Sequence, residues 1–236
     1  ILLKAFIPNL FTLLNLLSGC IGVVFVISGE LTTAAAFVFA GISFDFFDGF
    51  IARKLKVESA LGLQLDSMAD LVTSGLVPGL VLFELFQHSI EGPRLLTFII
   101  PYMGFIVTLA SAYRLARFNI STNQKDYFIG LPTPANALMI LSLPLVVFCD
   151  HNPIYNAIIR DTWFLLGFTL FSGFLLNAPF KLMALKFENW NFYPNKEKFI
   201  LLFLSLFFLI IFKYAGILYS ILIYILFSLI KPPKDV

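Results

Sequence analysis

Histidine and cysteine are nearly missing from this chain, with two of each in 236 residues. Cys20 and Cys149 stand alone on apolar segments with no Cys-x2-Cys spacing and no histidine beside them in sequence, so both read as small apolar core residues. His88 and His151 fall in short connecting stretches and are assigned to no metal. Charge is equally scarce: Asp, Glu, Lys and Arg make up 13% of the residues against 59% hydrophobic, and the mean hydropathy is +0.92. Those values exclude an ordinary soluble domain. The net charge of +2 singles out no class of partner, and no nucleic-acid partner is expected. The stretch from Ile1 to Pro8 is too short to read as a secretory signal.

What is present is apolar sequence in runs that approach or reach the roughly 20 residues needed to cross about 30 Å of hydrocarbon as helix. The expected fold is all-α, a single polytopic membrane bundle over 1–236 with about eight spans, six at the least. Spans are expected at Leu10 to Ser28, Thr32 to Arg53, Asp66 to Gln87, Leu95 to Phe118, Pro134 to Cys149 and Thr162 to Phe180. The tail from Phe199 to Ile230 divides at Lys213-Tyr-Ala-Gly216 into two short helices of about 21 Å each, or a re-entrant hairpin. With the N-terminus inside, the basic residues Lys4, Arg53, Lys54, Lys56, Arg117, Lys125, Lys181, Lys186, Lys196, Lys198, Lys231 and Lys234 fall on the cytoplasmic side. Arg94, Arg160 and Lys213 fall opposite. The end of the second helix and the start of the third therefore belong to the cytoplasmic face.

At that face four carboxylates, Asp45, Asp48, Asp66 and Asp70, interrupt apolar sequence. An acidic side chain well inside a membrane helix costs on the order of 2.5 to 3.5 kcal/mol, which argues for a function that offsets it. Asp45, Asp48 and Ala52 are three and four apart on one stripe, and Asp66 and Asp70 are four apart. On antiparallel neighbours both pairs lie roughly 6 to 12 Å from the loop. Four facing carboxylates cannot all stay ionised without cations, and oxygen-only ligands favour Mg²⁺ or Mn²⁺. Two such ions would clamp a diphosphate, with Gly49 allowing close approach to the helix backbone and Arg53 placed to pair with phosphate. A structural charge network or the cation pathway of a transporter also concentrates such residues.

The complete pattern Asp45-x2-Asp48-Gly49-x2-Ala52-Arg53-x8-Gly62-x3-Asp66-x3-Asp70 resembles, without departure, the signature of the CDP-alcohol phosphatidyltransferase family. The resemblance implies that a small alcohol attacks a CDP-activated lipid at the lipid-bearing phosphorus and releases CMP. It further implies that Asp45, Asp48, Asp66 and Asp70 ligate divalent metal, with Asp70 also the general base, and that Gly49, Ala52, Arg53 and Gly62 contact the nucleotide and phosphates. Pro8-Asn9-x2-Thr12 resembles the family's first-helix segment beside the nucleotide, although a plain helix entry reads equally well.

Asn15-x2-Ser18-Gly19, Arg114-Leu-Ala-Arg117-Phe-Asn119 and Gly130-Leu-Pro-Thr-Pro134-Ala are similar to the phosphatidylserine synthase branch, over roughly the first 140 residues. The substrates implied are CDP-diacylglycerol and L-serine. A serine carboxylate would find paired donors on a guanidinium, making Arg114, Arg117 and Asn119 the acceptor-side candidates. Arg114 and Arg117 also fit as ordinary positive-inside anchors, and with Lys125 they fit glycerol phosphate or inositol phosphate as acceptor. Catalysis is expected within about 1–150. The helices of 151–236 are expected to supply packing and the surface of a homodimer, usual in the family, in contact with membrane lipids. The implied location is a bacterial inner membrane.

Overall fold

The computed structural model describes residues 2–90, 92–120, 127–150, 152–183, 193 and 195–231, with the side chains of 2–5 set aside. The basic positions Lys125, Lys186 and Lys234 and the loop residue His151 lie outside the described residues. Nine helices and one pair of short strands are present among the described residues. They are α1 (Leu2–Ile27), α2 (Leu31–Leu55), α3 (Ala60–Ser89), α4 (Arg94–Ile120), β1 (Tyr127–Ile129), α5 (Thr133–Asp150), α6 (Pro153–Ile159), α7 (Thr162–Asn177), β2 (Lys181–Met183), α8 (Lys196–Phe212) and α9 (Ala215–Ile230).

Five helices are long and apolar enough to cross a membrane. A sixth span is complete if α6 and α7, bent by 71° at their junction, are taken as one. This is an all-α integral membrane protein. The last two helices, expected as spans seven and eight, have 17 and 16 residues, about 25 Å of helix, short of the full hydrocarbon thickness.

Helix α1 packs along α2 and against the first half of α3, while α2 and that half of α3 scarcely approach each other. They form two walls with α1 behind them. Helix α3 starts six residues before the expected Asp66 because Ser59 caps it, its hydroxyl accepting from the Gly62 amide at 3.0 Å. The α2 helix closes with Lys56 in the left-handed conformation (φ 54°), so the two helices are joined by a short tight turn. Immediately after Asp70, α3 widens into a π-helical turn over Leu71–Leu76, a local irregularity of the kind that re-aims side chains at functional sites.

The main core fills the space between α1, α2, α3, α4, α5 and α7, with Val38, Val81, Phe86, Ile140 and Leu165 fully buried. A second cluster, Leu131, Met139, Leu175, Leu182, Ile221 and Ile225, joins α5, α7, β2 and α9. Strand β1 pairs antiparallel with β2, Phe128 opposite Leu182. Helix α7 stops at Asn177 rather than Phe180 because Pro179 pushes Ala178 into the extended region (ψ 142°). His88 lies within the last turn of α3, not in a loop. Cys20 and Cys149 are exposed on the apolar surface instead of buried in the core. In a bilayer a small apolar residue is as well placed facing lipid as facing protein, so the choice between the two is not set by its hydrophobicity.

Helices α3 and α4 cross at Gly79 and Gly104, where a Cβ on Gly104 would lie 2.7 Å from both the Gly79 carbonyl oxygen and the Phe83 amide nitrogen. Both obstacles are backbone, so neither yields cheaply. Gly104→Ala is expected to destabilise the protein by about 1 to 3 kcal/mol through overpacking, seen as a lower unfolding temperature in detergent. Gly167→Ala, with nothing within 4 Å of the new methyl, should leave it unchanged or slightly raised. Equal unfolding temperatures for the two variants would contradict the close crossing.

Candidate active site

The α1 face that meets the two walls carries Thr12 and Asn15, both buried. The Thr12 hydroxyl donates to Asp48 Oδ2 on α2 at 2.6 Å, and Asn15 Nδ2 donates to Asp70 Oδ1 on α3 at 3.2 Å. The Asn15 carbonyl in turn accepts from the hydroxyl of Thr73, in the π-helical turn, at 3.0 Å. One helix thus anchors a carboxylate on each wall. The role of Asn15 is absent from sequence reasoning based on the acidic residues. Its signal is the three-residue spacing from Thr12, which puts both on the stripe that looks into the gap.

Asp45, Asp48 and Asp66 each bring a carboxylate oxygen within 4.8 Å of the others. Asp66 Oδ1 is buried and has no hydrogen-bond partner. Hard oxygen donors, converging and partly unpartnered, fit a divalent cation. Asp70, expected in the same set, is not part of this group: it lies one helical turn deeper, 8% exposed, on Asn15.

Two cavities meet at the carboxylates and share Asp48, Gly49, Arg53 and Asp66 in their walls. The first, about 450 Å³, is lined by Asn9, Thr12, Ala52 and Gly62 together with Val57, Glu58 and Ser59 of the α2–α3 turn. All six residues expected at the nucleotide and phosphates therefore border one space. Across it Asn9 faces Gly62, where a Cβ would come 3.4 Å from Asn9 Oδ1. The Arg53 guanidinium lies back over Gly49, 3.2 Å from where a Cβ would sit.

The second cavity, about 360 Å³, is bordered by Asp45, Asp70, Ser67, Arg114, Phe128 and Thr133 among others. Arg114 is 7% exposed and its Nε has no partner. The three acceptor-side candidates separate here. Arg117 is exposed and lines a different, very small crevice with Arg114, Phe118, Ile129, Leu176 and Asn177. Asn119 ties α4 to α3, accepting from the Ser67 hydroxyl at 3.0 Å and donating to Gln64 Oε1 at 3.4 Å. Only Arg114 of the three borders the second cavity.

The sequence profile of the family described as CDP-alcohol phosphatidyltransferase matches residues 5–175, which includes both walls, α1 and every residue of the two cavities. The chain belongs to that family. It is also similar to proteins named CDP-diacylglycerol–serine O-phosphatidyltransferase. The one from Bacillus subtilis is 31% identical over 157 residues, 65% of this chain and 81% of the relative. The one from Helicobacter pylori is 31% identical over 204 residues, 85% and 81% respectively. An archaetidylserine synthase of Methanothermobacter thermautotrophicus is 29% identical over 144 residues, 60% of this chain and 59% of the relative.

Cation binding by the cluster is open to direct measurement with Mn²⁺ as a paramagnetic probe of the purified protein. Asp48→Asn or Asp66→Asn should weaken binding at least about tenfold, as loss of an anionic ligand does, whereas Glu58→Gln in the same cavity wall should not. Undiminished Mn²⁺ binding by both Asp variants would show that the cluster is not the site.

Proposed function

We propose that this chain transfers the phosphatidyl group of CDP-diacylglycerol to the hydroxyl of L-serine, giving phosphatidylserine and CMP. The observation that carries the reading is the meeting of two cavities at one carboxylate cluster, a larger one toward the α2–α3 turn and a smaller one beneath it. A group-transfer enzyme needs two sites that share the reacting atom. Serine as acceptor is supported by relatives whose names share serine while differing in the lipid.

In this reading the CDP moiety occupies the first cavity. Asn9, Thr12 and Gly62 border the nucleotide, Gly49 leaves room for the diphosphate against the α2 backbone, and Ala52 keeps the wall low. Arg53 pairs with phosphate at the rim. Asp45, Asp48 and Asp66 would hold divalent metal, Mg²⁺ or Mn²⁺, and a second ion would draw on Asp70. When bound, the metal neutralises the diphosphate and polarises the attacked phosphoryl group.

Serine enters the second cavity with its carboxylate toward the unpaired Arg114 edge, a match of planar donors to planar acceptors. Asp70 accepts the hydroxyl proton as the serine oxygen forms its bond to the lipid-bearing phosphorus. The bond from that phosphorus to the CMP oxygen breaks, and CMP leaves with the bonding pair. Asn15 occupies one oxygen of Asp70, which orients the other toward the cavity. Arg117 and Asn119 act at one remove, Asn119 by fixing α4 against α3.

The site lies at the end of the bundle where Arg53, Lys54, Lys56 and Arg117 cluster, while Arg94, Arg160 and Lys213 mark the opposite end. That asymmetry supports a cytoplasmic active site, and similarity to bacterial relatives supports a bacterial inner membrane.

The deciding assay is CMP release by purified protein with CDP-diacylglycerol and Mg²⁺ or Mn²⁺, offering L-serine, glycerol 3-phosphate or inositol phosphate in turn. Release is expected with serine alone and should stop in excess chelator. Asp70→Asn should lower the rate by at least about 10²-fold with an unchanged unfolding temperature, the scale of a lost general base. Release with a phosphorylated alcohol instead would overturn the serine assignment, and a near-normal Asp70→Asn rate would overturn the assignment of the base.

A further inference from the structure

The matched family segment ends at residue 175, yet the polypeptide beyond it reaches back to the strand that leads into the wall of the second cavity. The Tyr224 hydroxyl on α9 donates to the Met183 carbonyl at 2.9 Å, and the Met183 amide donates to the Ser228 hydroxyl at 3.3 Å. Tyr224 and Ser228 are four apart on one face of α9 and take up both backbone polar groups of Met183. Strand β2, so held, pairs with β1 in the register Tyr127–Met183, Phe128–Leu182 and Ile129–Lys181.

Strand β1 leads directly into the wall of the second cavity. Phe128 borders that cavity, and so do Pro132, Thr133 and Pro134, where the chain enters α5. Between them Gly130 adopts φ +74°, and its amide donates to the Phe180 carbonyl at 3.0 Å while the Leu131 amide donates to Leu175 at 2.8 Å. A Cβ on Gly130 would collide with the Leu176 carbonyl. The segment 127–131 is therefore fastened to residues 175–183 immediately before Thr133, and α9 fastens the far side of β2. Leu182, Ile221 and Ile225 bury the contact in one apolar cluster with Leu131.

We propose that Tyr224 and Ser228 of the last helix are positioning residues for the acceptor, holding β2 and through it the β1 to Thr133 wall at the distance from Arg114 that the small alcohol requires. This rests on reading the second cavity as the acceptor's. The brace touches no part of the nucleotide cavity, so its loss separates the two substrates kinetically. Loss of one neutral hydrogen bond corresponds to a change of roughly threefold to tenfold.

Tyr224→Phe and Ser228→Ala in the full-length protein should each raise KM for L-serine about threefold to tenfold, with KM for CDP-diacylglycerol and the unfolding temperature nearly unchanged. Ser228→Thr, which keeps the hydroxyl, should restore the wild-type KM. In parallel, hydrogen exchange at the amides of 127–133 should quicken in Tyr224→Phe while that of 45–70 stays the same. An equal rise in both KM values, or unaltered KM and exchange, would overturn the brace. If wild-type protein uses an acceptor other than serine, the serine reading fails and KM for that acceptor becomes the measure of the brace. If it turns over none, the exchange comparison alone decides.

Discussion

Like charge held close together in an apolar bundle is the constraint on which the rest of the structure depends. Three carboxylates within 4.8 Å of one another repel, and each pays to leave water. The bundle meets this by keeping α2 and the first half of α3 apart and placing α1 behind both. Thr12 and Asn15 then satisfy one oxygen on each wall, leaving the remaining oxygens directed into the gap. A wedge of polar side chains on α1 serves where direct packing of α2 on α3 would have closed the site. The π-helical turn belongs to the same arrangement, since it brings Thr73 back to the Asn15 carbonyl and so fixes the residue that holds Asp70.

Much of this was legible in the sequence because helical periodicity is a reliable ruler. Residues three and four apart share a stripe, and a short turn between antiparallel helices sets two stripes at one depth. Asp45, Asp48 and Asp66 follow from that arithmetic, whereas the gathering of Asn9, Thr12, Gly49, Ala52, Arg53 and Gly62 around one cavity was legible through the family resemblance. The same ruler is too coarse for Arg114 and Arg117. Three residues along a helix leave about 60° between side chains, enough for Arg114 to border the second cavity while Arg117 reaches only the neighbouring crevice. Asp70 is a related case, correctly placed on the stripe but a turn below the group it was expected to join.

Long-range pairing was not legible at all. Tyr127 to Ile129 and Lys181 to Met183 are three-residue strands, separated in sequence by the three helices α5, α6 and α7, and neither carries an alternating pattern long enough to register. The exposure of Cys20 and Cys149 was out of reach for a different reason. In water an apolar residue signals the core, but in lipid the outside of the bundle is as apolar as the inside, and hydrophobicity no longer separates them.

The two cavities differ in a way that bears on selectivity. The first is bordered by the polar turn Glu58 and Ser59 and opens toward the charged end of the bundle, as suits a nucleotide diphosphate that must enter and leave as CMP. The second is bordered by the apolar Leu115, Phe118, Phe128, Pro132 and Pro134 and by the polar Asp45, Asp48, Arg53, Asp66, Ser67, Asp70, Arg114 and Thr133, of which Asp48, Asp70, Arg114 and Thr133 are buried. In the proposed reading water is the nucleophile that competes with the alcohol, and the apolar part of this wall limits the ordered water that could stand in for it. In the same reading a hydroxyl compound that also offers a carboxylate gives the buried Arg114 Nε, which has no partner among the described residues, an acceptor. Discrimination then arises from a buried donor that only the right acceptor can match, and the wall opposite it must keep its distance. This gives a physical reason for the last helix to be tied, through two strands, to a site that lies within the first 140 residues.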